Sequence, residues 1–408
     1  MKTTAALPAL VVLLTGTLVA PPPASALTAL PCDPKGVPAA DAWNASQLSP
    51  ALTGRMHDSL SAYRISCARV VTQVVRDRGL PIRAAELAVT TIITEATMDN
   101  LDGGDGTSVG LFQQTEGSYG NIDRNDPVAA TNAFLNAMLR EFPDGSWQTR
   151  PFGEVCQKVQ RSAYPDRYAP EAHDGVLVAR AVWDRSPSNL AVYRPTDNTF
   201  YIRKLDGTPL TRVSLGVPGD LPAVGHYERG NFDNLAVYRP SAGAFVIRWA
   251  DGKTENVPFG QAGDLPATGR YENVEYDNLA VYRPSDRTFH IRRANESVLK
   301  VPFPGAQDGD VPAVGHYELS NYDNLALYRP SEGAYYIRWA NGRIERIAFG
   351  APGDRPAPAH FQAGPYTNLA VYRQQSSTFH IRRADNTVAP VVFGDGTKGD
   401  VPAVGKFE

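Results

Sequence analysis

The run Thr90-Thr91-Ile92-Ile93-Thr94 ends on a carboxylate, Glu95, and a polar segment from Asp99 to Asn125 follows it. At the end of an apolar helix, burial disfavours the charged form of a carboxyl group and keeps a proton available near neutral pH. That is the property a general acid needs at a glycosidic oxygen. Asp99, Asp102 and Asp105 are close enough in sequence to offer the second carboxylate of a hydrolase, but they read first as caps and turn formers of a loop rich in Gly, Asp, Ser and Asn. The seven histidines are scattered and there is no CxxC pair, so no metal site and no cofactor is expected. His173 reads as a surface residue.

Helices must position Glu95. Leu60, Tyr63, Cys67, Val70, Val71 and Val74 recur at helical spacing, ended by Gly79 before Pro81. A second helix starts at Pro81 and runs through Leu87, Ala88 and Ile92 to Glu95. A third has Asp126 as its cap and Pro127 in its first turn, with Phe134, Leu135 and Met138 on one face. Two more are expected over 152–161 and 170–183. The expectation is a helical domain over 49–185 with one long polar loop.

The period then changes to two. Asn-Leu-Ala-Val-Tyr-Arg-Pro, or a close variant, begins at Asn189, Asn234, Asn278, Asn324 and Asn368, at spacings of 44 to 46 residues. Each copy continues with an apolar or aromatic residue before Ile-Arg, a turn, a short strand and Gly-Asp-x-Pro-Ala. Four short strands in a repeat of this length make a propeller blade, which buries its faces only by stacking on its neighbours. The fold class is therefore multidomain, α plus all-β, with a five-bladed propeller over 186–408. Copies one, three and five carry Thr-Phe before the second strand, while copies two and four carry Ile-Arg-Trp within it. A doubled two-blade unit of odd total count brings two like blades together at closure. The strand tyrosines read as blade packing; Trp249 and Trp339, which the repeat does not require, are equally open to a sugar.

Lys2, the apolar stretch Leu7 to Ala20 and Ala24-Ser25-Ala26 read as a signal peptide over 1–26, with a linker over 27–48. The expected location is secreted, extracellular or cell-wall associated. Beyond it no segment approaches the roughly 18 apolar residues of a membrane span. A net charge of -3 gives no basic field for nucleic acid. Three cysteines allow at most one disulfide; Cys67 with Cys156 is favoured, since both lie in the helical domain, and Cys32 could replace either.

Three motifs in order carry a resemblance: Glu95 at a helix end, Gly110-Leu111-Phe112-Gln113 after a short loop, and Ser162-Ala163-Tyr164. Over Ser59 to Tyr168 the chain resembles the lysozyme-like lytic transglycosylase domains of secreted actinobacterial proteins. The resemblance implies that Glu95 protonates the bond between N-acetylmuramic acid and N-acetylglucosamine in peptidoglycan, then acts as base on the muramic C6 hydroxyl to leave a 1,6-anhydro end. Gln113 and Tyr164, with Gly110, are the expected substrate contacts: an amide can bond an N-acetyl group and a phenol can approach a sugar. Ala96 stands where the family usually has Ser. A muramidase, or an inactive wall-binding protein of the same fold, are the alternatives. The repeats resemble FG-GAP or VCBS-like repeats, whose loop aspartates bind calcium. In Gly225-His226-Tyr227-Glu228-Arg229-Gly230-Asn231-Phe232-Asp233-Asn234, His226, Gly230 and Asn234 replace three of the four acidic positions, so the architecture is expected without the calcium. A carbohydrate or a protein is the expected ligand of the propeller.

Overall fold

Asp126 caps a helix as its position suggests: its side chain accepts from the Val128 amide at 3.0 Å, and Pro127 occupies the first turn. A computed structural model of the chain describes residues 27–183, 188–228, 230, 232–272, 276–318, 322–362, 366–383 and 385–407. The expected signal peptide and the Ser186-Pro187 junction lie outside the described residues. Seven α-helices occur among the described residues: α1 Ala39–Leu48, α2 Ala62–Asp77, α3 Ile82–Ala96, α4 Glu116–Tyr119, α5 Pro127–Glu141, α6 Phe152–Gln160 and α7 Ala172–Trp183. α3 is buried along nearly its whole length, and α2, α5, α6 and α7 pack around it. Ile92, Phe112, Phe134 and Met138 meet in the core, with the Phe112 and Phe134 rings stacked at 5.0 Å.

The segment expected as a linker contributes to this core. α1 buries Ala45 and Leu48, and Cys32 is joined to Cys67 by a disulfide across 35 residues. This corrects the favoured Cys67 to Cys156 pairing: Cys156 is a buried free thiol whose Sγ lies 3.6 Å from the Leu87 carbonyl on α3. Burial pushes that thiol up to about 12, which keeps it protonated and unreactive. Closing a loop of this length restrains the unfolded chain by about 3 to 4 kcal/mol. Cys32→Ser is therefore expected to lower the melting temperature of the helical domain by several degrees, whereas Cys156 in the folded wild type should resist a thiol reagent that labels the reduced Cys32 and Cys67.

The second half forms five four-stranded antiparallel sheets. In each of blades two to five, the strands follow in chain order from the Gly-Asp-x-Pro-Ala segment outward, as in Leu221–Pro222, Ala236–Arg239, Ala244–Arg248 and Thr254–Pro258. The first blade is different. Leu190–Arg194, Thr199–Arg203 and Pro209–Ser214 take their innermost strand from the far end of the domain, Val401–Pro402, with Val192 opposite Pro402 and Tyr193 opposite Val401. This closes a five-bladed propeller and sets the first blade beside the fifth, two copies of the same type.

The repeat motif explains itself in the packing. Tyr193, Tyr238, Tyr282, Tyr328 and Tyr372 are sealed inside the blades, each against an aromatic ring of the neighbouring strand at 4.8 to 5.0 Å. The motif Arg of each blade forks onto the Asp of a Gly-Asp-x-Pro-Ala segment: Arg194 on Asp400, Arg239 on Asp220, Arg283 on Asp264, Arg329 on Asp310 and Arg373 on Asp354. Trp249 and Trp339 lie half-buried, their indole N–H groups donating to Glu255 and Glu345 at 3.0 Å. In the degenerate loops the motif Asn supplies a brace. Asn278 donates to Glu272 at 3.0 Å and accepts from the Tyr271 amide, and Glu272 also accepts from the Ala294 amide. Asn234 with Glu228 and Asn324 with Glu318 repeat this. An amide donor thus sits against the acid that remains.

Blades are tied to one another by a second set of contacts near the inner strands. The His226 amide donates to Asp277, the Arg270 amide to Asp323, the His316 amide to Thr367 Oγ1 and the Lys406 amide to Asp233. Burial, with the charge of Asp323, pushes the Asp277 carboxyl up to about 7. A carboxyl raised in the folded state contributes stability fully present below its unfolded value near 4, and lost as pH rises through 7. Wild type should therefore melt a few degrees lower at pH 8 than at pH 5. Asp277→Asn should flatten that slope in a series of thermal melts.

Candidate active site

Glu95 lies in the last turn of α3, half-buried, where the chain leaves the helix through two consecutive left-handed residues, Thr97 (φ 52) and Met98 (φ 62). The amides of Thr97 and Met98 turn back onto the Ile93 and Ile92 carbonyls, so the chain doubles back over the helix end, and Met98 is fully buried. A β-branched residue at positive φ is a strained choice, held here by surrounding contacts. The Asp99 amide bonds the Ala96 carbonyl, and Arg55 and Arg167 both donate to the Thr94 carbonyl, at 3.0 and 2.9 Å. Cations at a helix C-terminus satisfy its orphan carbonyls and oppose its dipole. The turn that carries Glu95 is therefore fixed from both sides.

Arg55 is itself aimed by α7 and the turn before it. Asp174, fully buried, accepts from the amides of Thr53, Gly54 and Met56, and Glu171 accepts from the Arg55 amide and pairs with its guanidinium at 3.3 Å. A Cβ on Gly54 would lie 2.4 Å from a Glu171 oxygen, so only glycine lets the carboxylate come this close.

The Tyr168 hydroxyl donates to Glu95 Oε1. The ring of Tyr168 is buried, and burial together with the Glu95 charge holds its phenol well above the ordinary range. It remains a donor at every working pH. A hydroxyl does therefore reach the carboxylate of a chain with Ala96 in place of Ser; it comes from a different element, the paired 3-10 turns Pro165–Arg167 and Ala169–Glu171. Tyr164 is 70% exposed and does not share this contact. Tyr168 is the partner of Glu95 that the sequence did not mark. It lies four residues beyond Tyr164, in a segment with no helical period to reveal which tyrosine faces inward.

The polar loop folds beside the helix end. The Gly110 amide bonds the Leu101 carbonyl, and Val109 pairs with Gln114 across a tight turn. Gly110 has φ 76, and a Cβ there would lie 2.1 Å from the Arg124 carbonyl oxygen, so the glycine is needed for loop closure. Gln113 turns its amide inward to the Gly110 and Gly103 carbonyls at 3.0 and 3.4 Å. Gly110 and Gln113 thus shape the loop that follows α3 in the chain. Asp99 forks onto Arg64 at 2.9 and 2.7 Å, Asp102 accepts from the Thr28 amide at 2.8 Å, and Asp105 is exposed in a turn. His173 is exposed, its ring nitrogen 3.1 Å from the Ala51 carbonyl. Gly106-Thr107-Ser108-Val109-Gly110 has the spelling of a nucleophile elbow, but it lies in this loop rather than between a strand and a helix, so it lacks the elbow's setting.

Tyr168→Phe removes one charge-assisted hydrogen bond worth about 1.5 to 3 kcal/mol. Where Glu95 serves as a general acid, the expected result is a fall of roughly ten- to a hundredfold in kcat with KM little changed, measured in the cleavage assay proposed below.

No family model matches the chain, and no curated protein matches it. Among solved structures, the chain is similar to a streptogramin B lyase at 14% identity, with 48% of this chain, 63% of that one and a TM-score of 0.31. It is similar to virginiamycin B lyase from Staphylococcus aureus at 12% identity, with 50% of this chain, 66% of that one and a TM-score of 0.31. A protein of unknown function from Bacteroides caccae matches at 15% identity, over 51% of this chain and 73% of that one, with a TM-score of 0.33. The chain spans less than two thirds of the length of the two lyases. The propeller itself is established by its own closed ring of five sheets.

Proposed function

We propose that the chain is a secreted lytic transglycosylase of peptidoglycan, with residues 49–185 as the cleaving domain and the propeller over 186–408 as an accessory module for wall or partner binding. The observation that carries this reading is the pairing of Glu95 with Tyr168 on a rigidly capped helix end, beside a polar loop. Tyr168 occupies Oε1, which leaves Oε2 to exchange the proton. In the first half-reaction Glu95 gives its proton to the glycosidic oxygen as the bond to muramic acid breaks. In the second, the carboxylate takes the proton of the muramic C6 hydroxyl, whose oxygen closes on C1. The proton is returned, and no water is consumed.

Two of the three carboxylates nearest in sequence, Asp99 and Asp102, are engaged elsewhere, which supports this route over hydrolysis. Asp99 is committed to Arg64 and Asp102 to a backbone amide; a hydrolase needs a second carboxylate at a set distance across the sugar. The test is mass spectrometry of the fragments that the full chain releases from purified sacculi. Anhydro ends are expected. Reducing ends would instead make the protein a muramidase, and the absence of any release would make it a binder.

A further inference from the structure

The cations around the end of α3 are not equivalent. Arg64 forks onto Asp99, and Arg55 pairs with Glu171 at 3.3 Å. Arg167 donates through one nitrogen to the Thr94 carbonyl at 2.9 Å, and no carboxylate among the described residues pairs with it. The acids nearby are already committed. Glu171 accepts from the Arg55 amide as well as from its guanidinium, and Asp174 spends both oxygens on the amides of Thr53, Gly54 and Met56. A guanidinium carries five N–H donors in a fork that matches a carboxylate. Arg167 is half-buried, and its remaining donors are left for water or a ligand.

Its place in the chain puts this cation beside the candidate acid. Arg167 ends the 3-10 turn Pro165–Arg167, and the next residue, Tyr168, donates to Glu95 Oε1. Consecutive side chains thus reach consecutive residues of α3: Arg167 the carbonyl of Thr94, Tyr168 the carboxyl of Glu95. A peptidoglycan strand carries a group that answers such a cation. Muramic acid bears a lactyl ether on its C3 oxygen, on the same ring as the C1 bond that Glu95 is proposed to break. While the stem peptide is attached, the lactyl carbonyl belongs to an amide and is neutral. Hydrolysis of that amide adds water, releases the amine of the peptide and leaves a carboxylate. A guanidinium fork binds a carboxylate through two charge-assisted bonds, and an amide carbonyl only as a neutral acceptor.

We propose that Arg167 takes the free lactyl carboxylate of muramic acid, so that the site favours strands whose stem peptides an amidase-type hydrolysis has already removed. The proposal rests on the peptidoglycan reading above for its sugar, and adds the state in which that sugar is recognised. It also gives the cleavage a place in a sequence of reactions. Amide hydrolysis comes first, and the anhydro-forming step consumes its product.

The test uses the full chain and two substrates: purified sacculi, and the same sacculi stripped of stem peptides by an amidase that cuts at the lactyl group. Binding is measured in the Glu95→Gln background, and release of anhydro ends in the parent. Denuded strands should bind about tenfold more tightly than peptide-bearing ones, the size of one charge-assisted contact, and should be cleaved with a lower KM at similar kcat. Arg167→Gln should bring the two substrates to within about twofold of each other, whereas Arg167→Lys, which keeps the charge and loses the fork, should keep part of the preference. Each ratio is taken within one variant, so a smaller folded fraction cancels from it. An unchanged ratio in Arg167→Gln would overturn the proposal, as would equal binding of the two substrates by the Glu95→Gln chain. A preference for peptide-bearing sacculi that is lost with Arg167 would put the carboxylate on the stem peptide and overturn the lactyl assignment. An Arg167-dependent preference in binding, with no anhydro ends from the parent, would sink the transglycosylase reading and leave this site standing.

Discussion

On the proposed transglycosylase reading, Glu95→Gln should cut the release of anhydro fragments from sacculi by roughly 10²- to 10⁴-fold, the range that general acid–base catalysis supplies. The substitution keeps the shape of the side chain and leaves an amide oxygen that can still accept from Tyr168. Nothing that holds the turn depends on the charge: Thr97 and Met98 close on backbone carbonyls, and Arg55 and Arg167 bond the Thr94 carbonyl. The melting temperature should therefore stay within a few degrees of wild type, and the lost activity can be assigned to the missing proton. A full rate in this variant would remove Glu95 from the chemistry. Tyr168→Phe should give a smaller loss, because it disturbs the aim of the carboxylate and spares the proton itself.

The second large effect is on stability. A chain ending at Gly399 loses the innermost strand of the first blade, and with it the pairing of Val192 and Tyr193 to Pro402 and Val401. Arg194 loses Asp400, a carboxylate with no exposed surface. Removing one partner of such a buried pair costs about 3 to 5 kcal/mol. The Asn189 bridge to Gly405, the Phe407 amide on Asn189 Oδ1 and the bonds between Lys406 and Asp233 go as well. Each orphaned buried group adds about 1 to 3 kcal/mol. The sum reaches the 5 to 15 kcal/mol by which a domain is ordinarily stable. The expected outcome is loss of the propeller's cooperative melting transition and rapid proteolysis after residue 188, with the helical transition preserved. A truncated chain that melts as wild type does would show that closure by the last strand is dispensable.

What the sequence discloses here depends on whether a contact is local or repeated. α2, α3 and α5 are legible because apolar spacing, Gly79 and the Asp126-Pro127 pair mark their faces and ends. α1 follows Pro38 in an alanine-rich stretch with no strong face, so its place in the core is not marked locally. The blades are legible because the same string returns five times. The reason that Arg and Asp return within it is tertiary, yet a trace is visible: their separation is 19 residues in blades two to five. In the first blade the partner of Arg194 is 206 residues away, which is the signature of closure. The disulfide and Tyr168 are not legible in this way. Cys32 and Cys67 are 35 residues apart with α1 between them, and the inward turn of Tyr168 is set by two short 3-10 turns without periodicity.

The swapped innermost strand also sets an order of events during synthesis. The helical domain can fold as soon as α7 has emerged, because its core is built from its own residues. The first repeat cannot: Leu190–Arg194 has its inner neighbour only in Val401–Pro402, about 200 residues later in the chain. Until then its edge is an unpaired template for β-pairing with other chains. Completion must wait for ends far apart in the chain to meet, which makes the propeller the slow step in reaching the native state. A nascent chain a few residues short of Val401 should expose a sharp protease-sensitive site around Asn189 that vanishes when the last strand is added.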